Sequence, residues 1–166
     1  DKKSGMAYII IIHSRSDQPS YLDEILSRDT EIPVTIAEDG EKLQKDHAYV
    51  VPSGQNINIY NGTIQYAEGE LGPHLSIDAT FKSLAEDRNE LSAGIILSGT
   101  GTDGTSGARK IKQAEGLVFV QALESAEYSG MPKSVIDTGI TDKVASPDEM
   151  PALLKTHFSD SRIFQA

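Results

Sequence analysis

Six consecutive apolar residues, Ala7-Tyr8-Ile9-Ile10-Ile11-Ile12, constrain this chain more than any other feature. The isoleucines are stiff at χ1 and disfavour a helix, and no alternation marks a solvated side, so the run predicts a strand covered on both faces. It is far short of the roughly 20 residues a membrane-spanning helix needs, and it ends at His13 rather than at a small-residue cleavage site. The expectation is an interior strand of an α/β sheet in a soluble, cytoplasmic protein with no direct membrane insertion.

Composition narrows the function classes. The chain has 166 residues, 38% apolar, 24% charged and 6% aromatic, within the ordinary globular range. Against a prior of about 150 residues per domain it predicts one domain over 1–166. Fifteen Lys and Arg against 25 Asp and Glu give a net charge of −10, a field that repels phosphate backbones and anionic lipid. Nucleic acid is therefore not an expected partner. The absence of cysteine removes disulfides, thiolate nucleophiles and cysteine-held zinc together. His47, His74 and His157 show no ligand spacing among themselves or to the carboxylates, so neither a metal nor a cofactor is expected.

Beyond the first strand, Pro19 is expected to open a helix through about Arg28, where Leu22, Ile25 and Leu26 recur at helical spacing. Strands follow at Pro33–Ala37 and His47–Val51. Alternating segments flanking Asn61-Gly62 predict a hairpin, because both turn residues need positive φ. Ile77, Phe81, Leu84 and Ala85 predict a helix over 76–87, with Asp78 in the first turn where the helix dipole favours an anion. The strand 94–97 then runs into the glycine-rich segment 98–104, and a helix leaves its far side and stops at Gly116. Leu117–Gln121 reads as another buried strand, Pro132–Thr138 as a short helix and Lys143–Ala145 as a last strand. Ser146 with Glu149 has the capping-box pattern ahead of a final helix. The fold class is α/β: a three-layer, doubly wound, mostly parallel sheet with an antiparallel hairpin appendage.

In such sheets the working groups gather beyond the carboxyl ends of the strands, which singles out His13 and Asp103. His13 directly follows the isoleucine strand, as a base at the sheet's working edge or as a capping histidine. The segment Gly99-x-Gly101-x-x-Gly104 follows a strand, opens a helix and has Glu124 beyond the next strand, as a dinucleotide-binding fingerprint would. Asp103 speaks against that reading, since its carboxylate would oppose a pyrophosphate at the helix N-terminus. Two other roles stay open: Asp103 caps the following helix, or it is the acidic member of a triad that orients an imidazole.

Several segments together carry a resemblance. Ser98-Gly99-Thr100-Gly101-Thr102-Asp103-Gly104 is similar to the S-G-M-G-x-D-G segment of the chemotaxis protein-glutamate methylesterases, the CheB catalytic domain family. Ile11-Ile12-His13 resembles the strand ending in Q-H, Glu38-Asp39-Gly40 the E-D-G, and Ala48-Tyr49-Val50-Val51-Pro52 the V-Y-V-A-P of that family. Ile77 to Ala85 resembles I-D-V-L-F-R-S-L-A, and Tyr128-Ser129-Gly130-Met131-Pro132 resembles Y-G-M-P with one residue more. The likeness runs in order from about residue 4 to 150.

The resemblance implies a Ser-His-Asp hydrolase that cleaves methyl esters of modified glutamates on chemoreceptor helices and deamidates certain glutamines within two-component, phosphorelay signalling. His13 would be its general base, Asp103 the orienting carboxylate, and Thr100, Gly101 and Met131 would line the substrate cleft. Receptor or signalling-protein helices are the implied partners. The family's nucleophile lies in a G-A-S-x-G-G loop after a strand upstream of the one ending in histidine. Residues 1–166 contain no G-x-S-x-G elbow, and Ser14, Ser16, Ser98, Ser106 and Ser129 lie outside such a context. The chain taken alone is thus expected to be inactive. Thr100 and Ile12 stand where the family has methionine and glutamine. Strand 7–12 is expected either to pair directly with strand 94–97 or to leave a gap closed by another chain. The alternative function is an inactive module that binds a receptor or partner, and a dinucleotide-binding protein is the third.

Overall fold

The isoleucine run forms strand β1 (Ala7–Ile10) in the computed structural model, which describes residues 3–12, 21–68 and 76–163. Helix α1 (Leu22–Asp29) leads to β2 (Val34–Ile36) and β3 (His47–Val50). Pro19, the expected opening of α1, lies outside the described residues. All three strands are parallel in the order β1-β3-β2, with Tyr8 opposite Ala48 and Val34 also opposite Ala48 on the far side.

The expected hairpin is present. Strands β4 (Ile57–Tyr60) and β5 (Thr63–Tyr66) pair antiparallel around Asn61 and Gly62, whose φ angles are 49° and 69°. Asparagine and glycine tolerate this left-handed pair with the least strain, which fixes the two-residue turn.

The second half of the chain repeats the parallel pattern. Helix α2 (Ser76–Arg88) precedes β6 (Ala93–Ile96), and α3 (Thr105–Gln113) crosses to β7 (Leu117–Gln121). After α4 (Gly130–Ile136) come β8 (Lys143–Ala145) and α5 (Met150–Ile163). The order is β6-β7-β8, all parallel, and every residue of the central β7 is buried, as the apolar run Leu117–Val120 requires. The fold is α/β with two mostly parallel sheets and a small antiparallel one.

Four details depart from the sequence reading. Helix α4 begins at Gly130 rather than Pro132, because the backbone of Met131 is drawn into the turn by a hydrogen bond to the Gly99 carbonyl. The left-handed residue after α3 is Glu115, at φ 65°, and not Gly116. Gly116 is required for a different reason: a Cβ there would meet the Ser92 carbonyl oxygen at 2.7 Å. Strand β1 is not covered on both faces, since Tyr8, Ile9, Ile10 and Ile11 are half-buried and Ile12 is exposed.

The fourth departure explains the third. Among the described residues β1 pairs with β3 and β6 with β7, and no pairing joins β1 to β6. Asp46 and Val51 donate to the Met6 and Ile10 carbonyls from the β3 side, so the alternate residues Ile9 and Ile11 aim their backbone groups at the opposite edge. Side chains nonetheless link β1 to the second half of the chain. Ile11 packs on the cluster of Ile77, Phe81, Ile96, Ala108 and Val120, and Met6 on the cluster of Leu117, Phe119 and Met150 that Ala93 and Ile95 also join. Two parallel half-sheets therefore meet through side chains. Of the two expected arrangements, direct pairing of β1 with β6 is absent among the described residues.

Candidate active site

The carboxyl ends of the paired strands β6 and β7 lie on one edge, where the chain places the loop 98–104 and the segment 122–131. The loop after β6 is tied down by its backbone. Gly99 donates to the Tyr128 carbonyl at 2.9 Å and accepts from the Met131 amide at 2.9 Å, while Tyr128 N–H donates to Ser98 Oγ at 2.9 Å. Ser98 N–H in turn donates at 2.8 Å to Oε1 of Gln121, a buried polar side chain at the end of an otherwise apolar strand. Glycine at 99 lets this happen, since a Cβ would press into the Met131 sulfur at 2.5 Å.

Asp103 is 6% exposed and accepts backbone N–H donors on both oxygens: Ile77 on Oδ2 at 3.0 Å, and Asp78 and Gly104 on Oδ1 at 2.9 and 2.8 Å. These hydrogen bonds fix the plane of the carboxyl group. Asp103 thus caps a helix, but α2 rather than the α3 that follows it. It also occupies the Gly104 amide at the start of α3 and places a carboxylate where a pyrophosphate would sit, which speaks against reading Gly99-x-Gly101-x-x-Gly104 as a dinucleotide loop.

Asp78 returns the contact. Its Oδ1 accepts Gly107 N–H, in the first turn of α3, at 2.5 Å. Burial raises the Asp78 pKa above the ordinary aspartate value; the Gly107 hydrogen bond opposes this, and the nearby Asp103 charge adds to it. The sequence placed Asp78 as an anion serving its own helix, and no local signal marks the neighbouring helix as its partner. Gly104 and Gly107 let the helix ends approach: a Cβ on Gly107 would meet Phe81 Cβ at 2.6 Å and the Asp78 Cα at 3.0 Å.

The remaining candidates divide. Thr100 and Gly101 are exposed on the loop, Gly101 at φ 84° with open space around it. Met131 is buried under the loop and belongs to the α2–α3 core cluster. His13 lies outside the described residues, as do Ser14 and Ser16. Ser98, two residues past β6, accepts Tyr128 N–H. Among the described residues no group of three His, Asp or Glu could hold a metal, and no helix is long and apolar enough to cross a membrane.

Comparisons with known proteins agree with this architecture. A family model described as CheB methylesterase matches residues 1–154. A protein-glutamate methylesterase/protein-glutamine glutaminase of Bacillus licheniformis is 31% identical over 160 residues, covering 92% of this chain and 45% of the relative. One from Myxococcus xanthus is 34% identical over 130 residues, covering 78% and 37%. The crystal structure of the Thermotoga maritima CheB methylesterase catalytic domain superposes with a TM-score of 0.79 at 29% identity, over 89% of this chain and 82% of that one. The chain spans less than half the length of these two curated relatives.

Proposed function

The chain belongs to the CheB methylesterase family, and from that premise we propose that it supplies two of the three catalytic groups of a protein-glutamate methylesterase and glutamine deamidase. The observation that carries this reading is Asp103: a buried carboxylate fixed by backbone amides on both oxygens at the working edge of a parallel sheet. A carboxylate so held does not reorganise during reaction. It selects the imidazole tautomer that leaves the far nitrogen free to accept a proton, then stabilises the imidazolium that forms.

His13, following β1, is the general base in this reading. It takes the proton of a serine hydroxyl as that oxygen attacks the ester or amide carbonyl, and returns it to the departing methanol or ammonia. Water then repeats the cycle on the acyl-enzyme and releases glutamate. The serine would be carried by a further parallel strand, for which the edges of β1 and β6 left unpaired among the described residues offer hydrogen-bonding partners. Thr100 and Gly101 line the cleft and Met131 supports it from below. The substrate is a methylated or glutamine-bearing helix of a chemotaxis receptor, met in the cytoplasm, within one domain spanning 1–166.

The test compares methanol release from methylated receptor by this chain and by a chain extended upstream through the serine strand. The extended form should turn over and this chain should not, and Asp103→Asn or His13→Ala in the extended form should lower kcat by about 10⁴-fold. Turnover that survives Asp103→Asn would sink the triad assignment. A second reading rests on the exposed apolar residues Leu97, Leu123 and Tyr128 at this edge, which suit a binding surface. Receptor binding without turnover in either form would select that inactive module instead.

A further inference from the structure

Asp78 and Asp103 sit at the meeting point of two helix N-termini, and each caps the other's helix. Asp103, from the loop before α3, holds Ile77 and Asp78 N–H of α2, while Asp78, from α2, holds Gly107 N–H of α3. Each carboxylate thereby fixes the backbone that carries the other. We propose that Asp78 is the positioning residue for Asp103: its grip on Gly107 anchors the 101–107 turn, and so sets where the Asp103 carboxylate lies. The role in catalysis rests on the triad reading, but the positioning itself does not.

The geometry makes the dependence specific. The turn has two glycines at positive φ, Gly101 at 84° and Gly104 at 92°, so its backbone has little intrinsic preference for one course. Contacts from outside must choose the course: Ser134 Oγ of α4 meets Thr105 Oγ1 at 2.7 Å, and Asp78 of α2 accepts the backbone N–H of Gly107 at the far end. Burying two carboxylates this close is unfavourable, and burial with the Asp103 charge accordingly raises the Asp78 pKa. An arrangement that holds one carboxylate with another, where a neutral side chain could serve, fits a site whose product is the exact placement of a charge.

Three variants of the chain separate the possibilities by amide hydrogen exchange and by titration of the His13 imidazole, both read by NMR. Asp78→Asn keeps an oxygen for Gly107 N–H but removes the charge; Asp78→Ala removes both; Asp103→Asn is the reference. Ile77 N–H is the reporter, since Asp103 itself protects it. The expected result is exchange at Ile77 faster by about tenfold in Asp78→Ala relative to Val118 and Val120, and near the parent rate in Asp78→Asn. Equal acceleration in the two Asp78 variants, or none in either, overturns the positioning role. The imidazole reads the catalytic consequence separately: its proton affinity should fall about threefold or more in Asp103→Asn. If it does not, the triad reading fails while the exchange result still decides the positioning of Asp103 by Asp78.

Discussion

At the scale of the residue, Asp78 carries a pH dependence whose sign differs from that of most carboxylates. The Asp78 pKa is raised in the fold, chiefly by burial, so the folded state binds this proton more tightly than the unfolded chain does. Its contribution favours folding in acid and is lost as pH rises from the ordinary aspartate value of 3.8 through the raised one. Asp78→Asn should therefore gain on the parent in denaturation midpoint between pH 4 and pH 7; an unchanged difference across that range would contradict the assignment. Glu149 behaves oppositely, held low first by the Ser146 backbone N–H, with stability lost as pH falls. Gly107→Ala tests the packing at the same point. Its Cβ would lie inside contact distance of Phe81 and of the Asp78 backbone, which cannot retreat, and the cost should be about 1–3 kcal/mol in a denaturant titration. That Asp103 caps a helix was legible from the sequence. Its partner helix was not, because a cap reaching between elements 26 residues apart depends on tertiary approach that no local pattern records.

At the scale of the element, the hairpin was the clearest reading and its attachment the least visible. Asn61-Gly62 announced the turn, but nothing in β4 or β5 marks the helix they lie against. Three polar contacts make that junction: Thr80 Oγ1 donates to the Ile57 carbonyl at 2.9 Å, Ile59 N–H donates to Ser83 Oγ at 2.9 Å, and Gly62 N–H to Asp87 Oδ2 at 3.0 Å. Thr80 is 2% exposed, so the isosteric Thr80→Val leaves the shape and deletes the donor. The loss should be about 1–2 kcal/mol of unfolding free energy, and a neutral result would show that the Thr80 hydrogen bond adds nothing to the junction. The same limit applies to α3, where Gly116 was read as a cap and serves as clearance for β6's approach.

At the scale of the whole molecule, parallel order within each half followed from strand–helix alternation, whereas the break between halves did not. An unbroken apolar run specifies that a strand prefers neighbours on both sides, not which neighbour comes. The consequence is measurable without any ligand. Amides of Ile9 and Ile95, on the unpaired edges, should exchange orders of magnitude faster than those of Val118 and Val120 in the central β7, despite similar side chains. Comparable protection would mean that the two edges are joined in solution. The loop 98–104 presents the contrary case, a surface segment whose backbone is already engaged by Tyr128, Met131 and Gln121. A guest arriving there meets a finished mould. Calorimetry of such an encounter should show a heat-capacity change set by the apolar area covered, with little of the ordering penalty that accompanies coupled folding, and a barrier to association dominated by diffusion and charge.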